Sequence, residues 1–182
     1  MGKRSSFERK ERDFYPTPLA AVFPLVPHIQ TPHAARGYKT RFSEPCAGDG
    51  TLVFHLRGIG LDCYWASDIE PQHKDIVRAD ALTVTNPLKQ SDMIITNPPW
   101  DRKILHPMIE HFRNLAPTWL LFDADWMHTK QSIPYIKYCQ KIVSVGRVKW
   151  IPDSKMTGKD NCAWYLFGEH KAKTEFIGRN ET

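Results

Sequence analysis

Residues 42–52 read Phe42-Ser-Glu44-Pro-Cys46-Ala47-Gly48-Asp-Gly50-Thr-Leu52. An extended apolar start, a proline, two closely spaced glycines and a helical run to Gly58 spell a strand that turns tightly into a helix. The period keeps switching downstream. Residues 61–67 are strand-like, 74–78 form a third strand-like stretch, and 93–96 are a short apolar strand that stops at Pro98. Residues 104–114 are helical with Ile104, Met108, Ile109 and Phe112 in phase, 119–122 are a continuous apolar strand, and 132–140 read as another helix. The β-rich runs 142–150 and 162–167 flank the polar loop 152–161 as a hairpin. Upstream, Thr17-Pro18 opens a short helix with Leu19, Val22, Phe23 and Val26 on one face. Alternation of this kind predicts an α/β fold: a mostly parallel sheet of about seven strands with an antiparallel C-terminal hairpin.

The chain has 182 residues, 41% hydrophobic and 25% charged, which suits one globular domain and excludes wholesale disorder and fibrous repeats. Apolar runs such as 119–122 fall far short of the roughly 20 residues of a membrane span, and the N-terminus lacks an apolar signal core. A membrane partner is therefore not expected, and the cytoplasm is. Residues 1–13 carry five basic and three acidic side chains, a flexible arm ahead of a single domain over 14–182. Lys plus Arg is 25 against 20 for Asp plus Glu, a net charge of +5 that suits a polyanionic partner. The four cysteines, Cys46, Cys63, Cys139 and Cys162, lack metal-ligand spacing and read as buried thiols. His106, Glu110 and His111 lack the HExxH spacing and read as helix surface, so no metal site is expected. Strands, helices and connections of ordinary length use up roughly 140 residues. Any substrate-reading surface must come from core loops, the basic arm or another subunit, a homodimer or partner chain.

Gly48 and Gly50 let the backbone turn tightly and approach a ligand, or form a plain turn, and Glu44 at the strand's end offers an acceptor to an ammonium or hydroxyl group. This is no P-loop, since no Gly-Lys-Ser/Thr follows. Asp68 ends the second strand in Tyr64-Trp-Ala-Ser-Asp68-Ile69-Glu70, about 20 residues past the glycines, where a carboxylate in a doubly wound sheet takes up ribose hydroxyls. Asp80, in Asp80-Ala81-Leu82, reads equally as a solvated loop acid or as an acceptor for an adenine amine.

Ile94-Ile-Thr-Asn97-Pro98-Pro99-Trp100 is the most specific element. An exocyclic amine on a nucleobase is a poor nucleophile because its lone pair is delocalised into the ring. Two acceptors, the Asn97 side-chain carbonyl and the Pro98 backbone carbonyl, can hold both amine hydrogens, favour a tetrahedral nitrogen and stabilise charge as it attacks a methyl group. The prolines fix the direction of both acceptors, and Trp100 offers a stacking face. Trp126, within Asp123-Ala-Asp125-Trp126-Met-His128, reads equally as a wall of the base pocket or as a core aromatic. Arg147, Lys149, Lys155 and Lys159, with Trp150 interleaved, suit backbone phosphates or form a solvated face.

This set resembles the amino-methyltransferases that use S-adenosylmethionine, most of all the nucleic-acid adenine-N6 members. Asp13-Phe-Tyr15-Pro16-Thr17-Pro18 resembles the family's N-terminal motif at the methionine carboxylate, and Glu44 to Gly50 its Gly-rich loop. Asp68, with Ile69 beside it, matches the ribose-binding acid, Asp80 and Ala81 the adenine-facing position, and Asn97 to Trp100 the catalytic (Asp/Asn/Ser)-Pro-Pro-aromatic motif. The resemblance implies a Rossmann-like class I fold and S-adenosylmethionine bound by Tyr15, Thr17, Pro18, Glu44, Cys46, Ala47, Gly48, Gly50, Asp68, Ile69, Asp80, Ala81 and Asn97. Catalysis then falls to Asn97, Pro98, Pro99 and Trp100, and substrate binding to Trp100, Trp126, Arg147, Lys149, Lys155 and Lys159. Cys46 stands where many relatives carry the loop's first glycine. The implied target is adenine N6 in DNA; RNA adenine, cytosine N4 or a protein amide would use the same chemistry, and a silent partner subunit is the alternative outside enzymes. The motif order resembles members with a target-recognition domain after the core, and none fits here, as would suit a small phage-type enzyme.

Overall fold

The computed structural model describes residues 15–29, 37–151 and 158–179; the basic arm 1–13 and Lys155 lie outside them. Helix α1 (Leu19–Val22) runs on into a 3-10 segment (Phe23–His28). The chain then forms β1 (Arg41–Glu44), α2 (Thr51–Gly58), β2 (Asp62–Asp68), β3 (Val77–Arg78), α3 (Asn86–Lys89), β4 (Met93–Thr96), α4 (Arg102–Arg113) and β5 (Thr118–Asp123). Two 3-10 segments (Ala124–His128 and Lys130–Ser132) lead to α5 (Ile133–Ile136), β6 (Cys139–Arg147), β7 (Asn161–Phe167) and β8 (Glu175–Ile177).

The eight strands form one sheet in the order β3-β2-β1-β4-β5-β7-β6-β8. All pairings are parallel except those made by β7, which runs antiparallel to both β5 and β6. This is the expected α/β architecture with its C-terminal hairpin. The count is one strand higher than expected, because β8 pairs beside β6 at the far edge.

Alternation along the strands builds two cores. Ile95, Trp119, Leu121 and Trp164 point to the side covered by α1 and α2, where Val22, Leu25, Leu52 and Leu56 meet them. Their neighbours Ile94, Leu120, Phe122 and Tyr165 point to the other side, covered by Leu105, Met108, Ile109 and Phe112 of α4. Both faces being covered is why β5 reads as an unbroken apolar run. The Trp164 indole N–H donates to the Ala21 carbonyl at 2.7 Å, tying α1 to the hairpin across 143 positions of sequence.

Several local expectations shift. The first helix buries Ala21, Val22 and Leu25, while Phe23 is 53% exposed and Leu19 also faces outward. Pro24 and Pro27 tighten this stretch into a 3-10 segment, whose three residues per turn align Val22 with Leu25 instead of Val26. In α4, capped by the Asp101 side chain on the Lys103 N–H, Leu105 replaces Ile104 on the buried stripe; Ile104 is 39% exposed. The helix expected over 132–140 is a single turn, and β6 starts three residues earlier than predicted. The third strand is only two residues long. No helix among the described residues is long and apolar enough to cross a membrane.

Candidate active site

Strand order reverses between β1 and β4, so the connections after them diverge and leave a crevice at their carboxyl ends. Glu44 ends β1 inside that crevice, fully buried. Its Oε1 accepts from the Cys46 N–H at 3.1 Å and from the Thr96 hydroxyl at the end of β4. Its Oε2 is buried with no hydrogen-bond partner. Burial pushes the carboxyl up to about 8, and the Asp68 charge adds to this while the bonds from Thr96 and Cys46 oppose it. An orphaned buried carboxyl oxygen is costly, and it fits a ligand that brings a donor or a cation.

The glycine loop is shaped around Asp68. Asp68 Oδ2 accepts from the Gly48 N–H at 2.9 Å and Oδ1 from the Glu70 N–H at 2.8 Å, leaving a further lone pair on each oxygen. Gly48 at φ 54° and Gly50 at φ 84° adopt left-handed backbone that a residue with a side chain rarely takes. Ala47 is buried and Cys46 half-buried, its thiol pushed well up by burial and by Glu44, so it stays protonated at neutral pH. Ile69 is exposed beside Asp68, an apolar side chain facing outward at the crevice. Asp80 is exposed and its Oδ1 accepts from the Leu82 N–H at 3.0 Å, closing its own turn, while Ala81 is buried.

Asn97 leaves β4 directly after Thr96 and meets the N-terminal segment: its Nδ2 donates to Thr17 Oγ1 at 3.1 Å. The Trp100 indole N–H donates to Asn97 Oδ1 at 3.3 Å. Pro98 is buried, and Pro99 and Trp100 are half-buried. Trp150 meets Trp100 edge to face, ring centroids 5.9 Å apart. Tyr15 and Pro18 are half-buried in the same segment as Thr17. The structure thus brings Thr17, Glu44, Asp68 and the Asn97–Trp100 turn to one edge of the sheet from four separate places in the sequence.

Trp126 is not brought into this group. It is fully buried in the core under α4, edge-on to Phe122 and Tyr165, and its indole N–H donates to His106 Nε2 at 3.0 Å. Of its two sequence-based assignments the core aromatic is the one the packing matches. His106 is correspondingly no surface residue: it is half-buried and stacks on Tyr135, with burial and Arg102 lowering its pKa. Arg147, Lys149 and Lys159 are exposed around the carboxyl end of β6 and the amino end of β7, which the antiparallel pairing puts side by side.

Three contributors escaped the sequence. Thr96 holds Glu44, and only its place next to Asn97 hinted at it. Arg102 pairs with Asp123 at 2.9 Å, linking the start of α4 to the end of β5. Arg179, just past β8, lies over Gly146: a Cβ there would come within 2.9 Å of its Nη1. A left-handed glycine at a β6 irregularity therefore makes room for one more cation beside Arg147.

No family model and no curated protein matches the chain. Solved structures do. A candidate RNA methyltransferase from Pyrococcus horikoshii aligns with a TM-score of 0.59 at 15% identity, over 92% of this chain and 94% of that one. The M protein of the type I restriction enzyme EcoKI aligns at 0.53 and 8% identity, over 90% of this chain and 48% of its own. A candidate class I S-adenosylmethionine-dependent methyltransferase from Listeria monocytogenes aligns at 0.51 and 10% identity, over 89% and 62%. At such identities the likeness establishes the architecture, and the chain has the Rossmann-like α/β fold these methyltransferases share.

Proposed function

We propose that the protein is an S-adenosylmethionine-dependent methyltransferase acting on an exocyclic amine, adenine N6 in DNA first among the candidates. The carrying observation is the Asn97-Pro98-Pro99-Trp100 turn at the end of β4, one residue from the Thr96–Glu44 bond, with Glu44 also holding the Cys46 N–H at the start of the Asp68-bound glycine loop. The unpartnered Glu44 Oε2 fits the cofactor's ammonium group, and the open lone pairs of Asp68 fit its ribose hydroxyls. Tyr15, Thr17 and Pro18 would face its carboxylate, Cys46, Ala47, Gly48 and Gly50 its methionine portion, and Ile69, Asp80 and Ala81 its adenine. When bound, the cofactor supplies an electrophilic methyl group.

The protein's own part is to present the amine. Asn97 Oδ1 and the Pro98 carbonyl accept its two hydrogens and draw the nitrogen lone pair out of the ring. Trp100 provides a face for the base, with Trp150 closing the slot from the side, stacking worth about 1 to 3 kcal/mol per base. In a duplex the base would be flipped out for this at a cost of a few kcal/mol. Arg147, Lys149, Lys155, Lys159 and Arg179 would lie along the backbone phosphates, in keeping with the net charge of +5. The neighbours named for RNA methylation and for a restriction enzyme keep RNA adenine beside DNA, and cytosine N4 and protein amides would enter the same slot.

Transfer of labelled methyl from S-adenosylmethionine to single- and double-stranded DNA, RNA and bulk protein, followed by nucleoside mass spectrometry, tests this. N6-methyladenine in DNA that vanishes in Asn97→Ala, with cofactor affinity within a few-fold, is the expected result. Cofactor binding with no polymer labelled, and activity only beside a co-purifying chain, would replace it with a partner subunit.

A further inference from the structure

An amide side chain has two ends of nearly equal shape, and only its partners decide which way it points. For Asn97 those partners are Thr17 and Trp100. A threonine hydroxyl can donate or accept, so by itself it permits either orientation. An indole N–H only donates, so it can face only the oxygen. Trp100 therefore selects the orientation, and Thr17, accepting from Nδ2 on the opposite end, locks it. Turned over, the amide would set its NH2 against the indole N–H and lose that bond.

Thr17 is well placed to hold this orientation. It is 3% exposed, one residue ahead of Pro18, whose carbonyl accepts the Ala21 N–H, and Ala21 is in turn bound to Trp164 in the sheet. The anchor is rigid, although it stands 80 positions from Asn97. An acceptor that must meet an amine hydrogen in a defined direction gains from being fixed beforehand.

We propose that Thr17 is a positioning residue for catalysis: with the indole N–H of Trp100 it fixes the Asn97 amide so that Oδ1, not Nδ2, faces the base slot. The inference rests on the methyltransferase function proposed above. It also gives the aromatic position a second task, since phenylalanine would keep a stacking face and lose the donor. The Thr17 hydroxyl hydrogen stays free for another acceptor, so contact with a cofactor carboxylate is compatible with this role.

The test uses Thr17→Val, which keeps the shape and removes the acceptor, Thr17→Ser, which restores it, and Trp100→Phe. In the free protein, hydrogen exchange of the Asn97 side-chain amide, assigned by its loss in Asn97→Asp, is expected to quicken in Thr17→Val and Trp100→Phe and to stay unchanged in Thr17→Ser. On nucleic acid, Thr17→Val is expected to lose roughly 10-fold or more in kcat with KM for the polymer nearly unchanged, the pattern of an interaction that matters in the transition state. Thr17→Ser recovers it. Wild-type exchange and kcat in Thr17→Val would overturn the proposal. So would an effect confined to a raised KM for the cofactor with Asn97 exchange unaltered, which would make Thr17 a cofactor contact alone. If the wild type methylates nothing while the exchange pattern appears, the methyltransferase function fails and the clamp on Asn97 stands.

Discussion

Glu44→Gln should make the free protein more stable at pH 8 while weakening its proposed cofactor site. Glu44 is fully buried, and its carboxyl is raised from 4.5 to about 8, chiefly by burial. A folded-state value above the unfolded one means the folded protein holds the proton more tightly. The stability tied to that proton is complete below pH 4.5 and is lost as pH rises through 8. At about 1.4 kcal/mol per pKa unit the shift sets a ceiling of ~5 kcal/mol. Local relaxation and water entry reduce this, so a difference of about 2 to 3 kcal/mol is a sensible expectation. Glutamine stays neutral at every pH and its Oε1 can still accept from Thr96 and Cys46.

Urea unfolding followed by tryptophan fluorescence at pH 5, 6.5 and 8 measures the difference between wild type and variant, cancelling every other titration they share. The two should agree within about 1 kcal/mol at pH 5 and diverge in favour of the variant as pH rises. Cofactor binding should move the other way. Wild-type affinity for S-adenosylmethionine should rise from pH 6 to 7.5, as ionised Glu44 becomes available to the ammonium, and the variant's should be weaker and nearly flat. A stability difference that does not change with pH would refute the buried, proton-holding Glu44. A pH-dependent stability difference with unaltered cofactor affinity would keep that chemistry and remove its assignment to the ammonium.

Leu105→Ala should cost about 2 to 5 kcal/mol in urea unfolding and Ile104→Ala within about 0.5 kcal/mol, the reverse of what the sequence-based helix phase implies. Trp126→Phe should cost about 1 to 3 kcal/mol by leaving His106 without its donor, with kcat within a few-fold of wild type; lost activity at unchanged stability would return Trp126 to the base pocket. Arg147→Ala and Arg179→Ala should each lower the slope of log affinity against log salt by about 1 on a short DNA duplex, while an unchanged slope would take the phosphates off this edge.

The elements that sequence reveals best here are those punctuated by proline and glycine. Pro45, Gly48 and Gly50 mark where β1 must turn, and Pro98 and Pro99 mark where β4 must stop, because each restricts the backbone whatever its surroundings. The phases of α1 and α4 depend instead on what the helices pack against. Positions 104, 105, 108, 109 and 112 of α4 offer two overlapping apolar stripes, and only the sheet chooses Leu105. A three-residue edge strand such as β8 is too short for alternation to register, so Arg179 stayed hidden with it.

Residue types of the candidate site were legible and its connections were not. Glu44, Asp68 and Asn97 announce acceptors at strand ends, yet Thr96 on Glu44 and Thr17 on Asn97 span 52 and 80 positions of sequence. Local pattern carries no information at that range: the pairing of β1 with β4 brings the first pair together, and the tie of Ala21 to Trp164 holds the segment of the second against the sheet. Trp126 marks the same boundary from the other side. Following β5 places it at the carboxyl edge, but a strand end specifies an edge and not a direction. Trp126 turns under α4 because His106 offers its indole N–H an acceptor there, and the burial that lowers the His106 pKa also keeps that acceptor unprotonated. A buried tryptophan needs such a partner. Trp100 finds its own on Asn97, which is why one of two similar tryptophans serves the core and the other faces the proposed base slot.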